Sequence, residues 1–101
     1  MENLENLKTS IKNWAEDDRP REKMARHGAE VLSNAELLAI IINNGSKEKS
    51  AVELAKDILK LGADNLDELG KLSLKDFQKI KGIGNAKAIA ITAALELGRR
   101  I

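Results

Sequence analysis

The sequence predicts an all-α domain, and three observations lead there. Aromatic residues make up 2% of the 101 positions, Trp14 and Phe77 alone, and there is a single proline. The apolar residues are therefore Leu, Ile, Val and Ala, in runs with little strand-like alternation. Serine stands three residues ahead of an acid at Ser33-x-x-Glu36, Ser50-x-x-Glu53 and Ser73-x-x-Asp76, the spacing of a helix capping box.

Each element follows in order. Residues 1–18 are polar, with Ile11 and Trp14 as the main apolar anchors, and are expected to form a partly ordered arm. Pro20 suits a first helical turn, where its missing N–H costs nothing. The helix it starts is expected to stop at Gly28. His27 falls near that C-terminus, where a cation is mildly favoured, so a capping role explains it without catalysis. Ser33 opens a second helix carrying Leu37, Leu38, Ile40 and Ile41, stopped by Asn43-Asn44-Gly45. After a polar loop, Ser50 opens a third helix with Leu54, Ala55, Ile58, Leu59 and Leu61, for which Gly62 is a natural stop. Residues 65–70 suit a short helical turn. Ser73 opens a helix that turns Phe77 and Ile80 inward.

The last helix is expected from about Asn85 to about Gly98. It is apolar on most sides, so it should be central and buried, and Leu97→Asp should unfold the domain. A shift of 40 residues places Ser33 on Ser73, Glu36 on Asp76, Leu37 on Phe77 and Ile40 on Ile80. Two helix–turn–helix units packed as a pair explain this weak repeat, because neither alone has enough apolar surface. The domain organisation is thus an arm, residues 1–18, and one tandem domain, residues 19–101.

Composition limits the function classes. Hydrophobic residues at 43% and charged residues at 33% describe a soluble globular chain. Two aromatics cannot supply the platforms of a base-stacking single-strand binder. The chain has no cysteine, which fits the cytoplasm. It has no stretch long and apolar enough for a membrane and no secretory signal at its start. The net charge of +1 hides an asymmetry. Residues 75–101 hold six Lys and Arg against two Asp and Glu, whereas residues 1–74 hold eleven against fourteen. A smaller basic cluster is Arg19, Arg21, Lys23 and Arg26.

The basic segment contains Lys79-Ile80-Lys81-Gly82-Ile83-Gly84-Asn85-Ala86-Lys87. It lacks the second Gly-Lys pair of a Walker A loop, and the third glycine and preceding strand of a dinucleotide fingerprint. Helix, Gly-Ile-Gly, helix is a different arrangement. The glycines permit backbone angles that a Cβ opposes, and Ile83 can drop between the helices. The N–H groups of Gly84, Asn85 and Ala86 then open a helix without partners in it. With the dipole behind them they suit an anion, and a bare Gly84 lets a backbone phosphate approach. Lys87 projects on the side of Ile91 and Ala94, opposite the strip of Asn85, Thr92, Glu96 and Arg99, and so is expected at the helix mouth beside that anion. The expected phosphate-binding set is Lys81, Gly82, Ile83, Gly84, Asn85, Ala86 and Lys87, with Lys79, Arg99 and Arg100 as supporting charges. Binding of this kind reads no bases and weakens with salt.

The same residues, with Phe77, Ile80, Ala88 and Ile91, resemble a helix-hairpin-helix motif of DNA-repair proteins. "RPREKMARHGAEVLSNAELLAIIINNGSKEKSAVELAKDIL" followed by "KIKGIGNAKAIAITAALELGRR" looks like the N-terminal domain of the bacterial RadC family, over residues 11–100. The resemblance implies paired helix-hairpin-helix units, the second the better motif. It also implies a following JAB/MPN domain with a zinc peptidase-like site. That site needs an H-x-H motif that this chain, with His27 alone, does not have, so the chain is expected to be a fragment without it. Many such hairpins carry proline after the second glycine, where this one has Asn85, itself a sound helix cap. The first unit, with Asn43-Asn44-Gly45, is expected to keep the fold without the phosphate site. The expectation is a monomeric, sequence-independent DNA-binding module without cofactor or metal. The alternative is a scaffold that positions the JAB/MPN domain. An enzyme within these residues is not expected, since the three serines are explained as caps and no nucleophile–base pair stands out.

Overall fold

A computed structural model describes residues 19–101, all helix and connecting turns; the expected arm at residues 1–18, with Ile11 and Trp14, lies outside them. Two compact units divide the chain, Met1–Leu32 and Ser33–Ile101. In the first, helix α1 (Pro20–His27) begins with its proline in the first turn and ends with Arg26 and His27 in the last. Gly28 stops it at φ 88°, its N–H on the Met24 carbonyl, and a single 3-10 turn, Ala29–Val31, follows.

The second unit contains α2 (Asn34–Ile42), α3 (Ala51–Leu61), α4 (Leu66–Leu69), α5 (Leu74–Gln78) and α6 (Asn85–Arg99). The three capping boxes all form. Ser33, Ser50 and Ser73 each accept the N–H of the acid three residues on, and each acid accepts the serine N–H in return. The distances run from 2.8 to 3.2 Å. Asn65 caps α4 through the N–H of Glu68, at 3.1 Å. Caps matter most for α4 and α5, which at four and five residues are too short to hold together alone.

The pseudo-repeat appears as two helical hairpins. In sequence order α2 packs on α3 and α5 on α6; across the repeat, α2 packs on α6 and α3 on α5. The first serine caps are 40 residues apart, but the next two helix caps, Ser50 and Gly84, are only 34 apart. The difference arises because α5 is four residues shorter than α2 and its connector two residues shorter. The shared core takes Ala35, Leu38, Ala39 and Ile42 from α2, and Leu54, Ala55, Ile58 and Leu59 from α3. Leu69, Phe77, Ala88 and Ile91 complete it, with Ile83 entering from the last turn.

Two connections depend on close backbone approach. After α2, Asn43 reverses the chain at φ 70°. A Cβ on Gly45 would then lie 2.3 Å from the Lys49 carbonyl oxygen, so only glycine fits. After α3 the left-handed residues are Ala63 and Asp64, not Gly62. Gly62 is small for another reason: a Cβ there would meet the Leu69 backbone nitrogen at 2.8 Å.

The expectation for the last helix needs correction. Of its residues only Ala88 and Ile91 are buried, while Leu97 is 69% exposed and Ile89 48%. Apolar residues cover two sides of α6, and the hairpins enclose one. Thr92 also leaves the polar strip assigned to it: its hydroxyl is buried without a hydrogen-bond partner.

Two substitutions check this packing by urea denaturation. Phe77→Ala, at a side chain with no exposed surface, should cost about 3–5 kcal/mol. Leu97→Asp should change stability by less than about 0.5 kcal/mol, as exposed positions do, rather than unfold the domain.

Candidate nucleic-acid interface

The turn between α5 and α6 is built by packing. Its N–H to carbonyl bond from Ile83 to Ile80, 3.0 Å long, closes a tight bend and sends the Ile83 side chain into the core. Gly82 makes this possible at φ 99°, where a Cβ would be strained and would press to 3.2 Å on both Leu54 and Ser46. Gly84 differs: its φ is −87°, and a Cβ there would meet nothing within 4 Å. Packing explains Gly82 and Ile83 but places no demand on Gly84.

Gly84 is the cap residue of α6, and Asn85 its first helical residue; the expectation that Asn85 caps is thereby corrected. The Asn85 side chain turns across the bend, where its Oδ1 accepts from Gln78 Nε2 at 3.1 Å. No side chain caps α6, in contrast to the other four helices of residues 33–101. The first N–H bonded back is that of Ala88, to the Gly84 carbonyl at 3.0 Å. The N–H groups of Asn85, Ala86 and Lys87 precede it, at the positive end of a 15-residue helix, and Gly84, Asn85 and Ala86 are exposed.

The lysines stand around this mouth in different ways. Lys87 is half-buried and folds back on the turn, its Nζ donating to the Gly82 carbonyl at 3.4 Å. Lys81 reaches the first hairpin's connector and pairs with Glu48 at 2.9 Å, both side chains largely exposed. Lys79 pairs with Asp76 at 3.3 Å within one helical turn. Exposed pairs of this type are worth about 0–1 kcal/mol, so an anion can compete for either lysine. Arg99 and Arg100 are elsewhere. Both bind Glu96, at 2.6 and 2.8 Å, about 21 Å along α6 from Asn85. They do not share an anion with the turn. Held by Arg99 first and then Arg100, the Glu96 carboxyl titrates far below its ordinary 4.5, at about 2.

Sequence reasoning passed over the connector of the first hairpin. Ser46 abuts Gly82, and its Oγ accepts the N–H groups of Glu48 and Lys49 at 3.3 and 3.1 Å. The two hairpin turns therefore lie side by side. The repeat carried that signal, since a pair of hairpins exchanging helices brings its turns together. A groove of about 700 Å³ lies between α4 and the C-terminal half of α6, lined by Leu66, Leu72, Thr92 and Leu95 among others. None of residues 82–87 lines it. Among the described residues no three His, Asp or Glu side chains gather as a metal site, and no helix is long and apolar enough to cross a membrane.

Residues 11–89 match the family described as UPF0758 N-terminal. The chain belongs to the UPF0758 family. It is the N-terminal region of these RadC-like proteins, as the quoted segments suggested. A UPF0758 protein of Flavobacterium johnsoniae is 54% identical over 97 residues, covering 96% of this chain and 42% of the relative. Relatives from Staphylococcus aureus strain Newman and Alkaliphilus metalliredigens are 50% and 48% identical, over 90% and 92% of the chain and 40% of each relative. The chain thus spans about two fifths of the length of these curated relatives. No solved structure matches it.

Two measurements test the local geometry of this UPF0758 chain. Gly82→Ala should cost about 1–3 kcal/mol of stability, and Gly84→Ala less than about 1 kcal/mol, as read by thermal melting. The Glu96 carboxyl should titrate near pH 2 by NMR, and Arg99→Gln should move it upward. Because its folded value is depressed, this carboxylate stabilises the fold above about pH 4.5 and ceases to do so as pH falls toward 2.

Proposed function

We propose that this chain is a non-catalytic, sequence-independent DNA-binding module that takes backbone phosphate at residues 81–87. The observation that carries the reading is the start of α6. It is the one helix of residues 33–101 without a side-chain cap. It begins on an exposed glycine whose absent Cβ would meet nothing. Three N–H groups and the helix dipole meet there, with the Lys87 ammonium held at the adjoining Gly82 carbonyl, a combination that favours a phosphate oxygen. Gly84, without a packing reason to be glycine, is where a phosphate needs close approach. Lys81 and Lys79 supply further charge from their weak surface pairs. Arg99 and Arg100, at the far end of α6, are left out of the phosphate site. The resemblance to RadC extends the proposal to a bacterial cytoplasmic protein acting in DNA repair.

Such a surface makes few phosphate contacts and should bind weakly. With two or three contacts, the logarithm of affinity should fall with the logarithm of salt at a slope of about −2 to −3. An NMR titration at low salt with duplex, single-stranded and branched DNA is the deciding experiment. Amides of Ile83, Gly84, Asn85, Ala86 and Lys87 should shift saturably, and Lys81→Gln should flatten the salt slope by about one unit. Shifts confined to other residues, or no saturable shift, would overturn the proposal.

A further inference from the structure

We infer that the outward face of α6 is the seat of the chain region that follows the N-terminal domain in the longer UPF0758 proteins. Ala86, Ile89, Ala93 and Leu97 recur at spacings of three and four along this helix, which puts them on one line. All four are exposed, Ile89 and Leu97 by 48% and 69%. The core side of the same helix is Ala88, Ile91 and Leu95. Single exposed apolar residues are ordinary, but a helix apolar on two sides is built to be enclosed.

What covers the second side is indicated by length and position. The family match is to an N-terminal region, and more than half of each relative lies outside the matched part. Since α6 is the last helix of this chain, the continuing region of those relatives leaves beside Leu97. The stripe from Ile89 to Leu97 is only about 12 Å long and one helix wide. That is far below the roughly 800 Å² per partner of a stable interface between free proteins. A covalently joined region needs no such area, because its effective concentration is about millimolar through a short linker. The size of the face therefore favours a tethered occupant over a second copy or a free protein. The occupant presents an apolar surface to Ile89 and Leu97 and approaches closely at Ala93, whose side chain is small.

The chain contains no cysteine, so a single introduced thiol reports on one position. Leu97→Cys should react readily with a maleimide in the 101-residue chain. In a chimera in which the remaining region of the Flavobacterium johnsoniae relative follows Ile101, it should react at least about tenfold more slowly, as a covered site does. The rates are read by mass spectrometry of the peptide containing position 97. Lys56→Cys, exposed on α3, should react equally in both. Adding Ile89→Asp to the chimera should restore the fast rate at position 97. As a second measurement, hydrogen exchange in the intact Flavobacterium relative should be slower at the peptide matching residues 85–99 than in its isolated N-terminal part. Equal rates with and without the added region in both measurements would overturn the inference. Protection of position 97 in the 101-residue chain alone would also do so, whether it rises with concentration, as for a second copy, or disappears on removal of residues 1–18.

Discussion

The exchange of helices between the two hairpins is the constraint on which residues 33–101 depend. The apolar side of α2 is shared by α3 and α6, and α3 is also covered by α5. A hairpin whose first helix has only five residues, as α5 does, offers little core of its own. Its Phe77 has no exposed surface and belongs to one core cluster with Leu38, Leu54 and Ile58 of the other hairpin. Burial at this scale outweighs propensity in helices so short, and the capping boxes then decide where each one starts.

The candidate interface is a by-product of that exchange. For the hairpins to meet, Gly82 must lie against Leu54 and Ser46, and Ile83 must fill the space between them. These two residues determine where α6 begins and bring the connector of the first hairpin alongside. Gly84 and the N–H groups behind it are left facing outward. The fold thus leaves the third N–H of α6, that of Lys87, without the side-chain acceptor that every other helix of this unit supplies.

Local features were legible in the sequence and tertiary ones were not, for physical reasons. A capping box involves four consecutive residues, and all three could be read from Ser and its acid alone. The stops at Gly28 and Asn43 and the bend at Gly82 were legible for the same reason. The burial of α6 was not, because Ala and Leu recur on two of its faces and periodicity cannot say which face meets a neighbour. Net charge grouped Arg99 and Arg100 with Lys81, although a straight helix carries them a full length away. Gly62 does stop its helix, but the spacing did not show that it and Gly45 must also be small, because Leu69 and Lys49 return their backbone against them. At the candidate site, the bend at Gly82 was readable, as was the position of Lys87 beside the turn. The partnership of Lys81 with Glu48 required knowing that the two turns are neighbours.

The uncapped start of α6 would give the proposed site a kinetic property as well as a chemical one. Its donors are held by a helix whose opposite side is locked into the core, so their directions exist before any ligand arrives. A phosphate bound as proposed would order little beyond itself, and the entropic cost of arranging a binding loop would be small. Under the proposed function, the encounter would be governed by diffusion and by the field of the nearby lysines, not by a folding step.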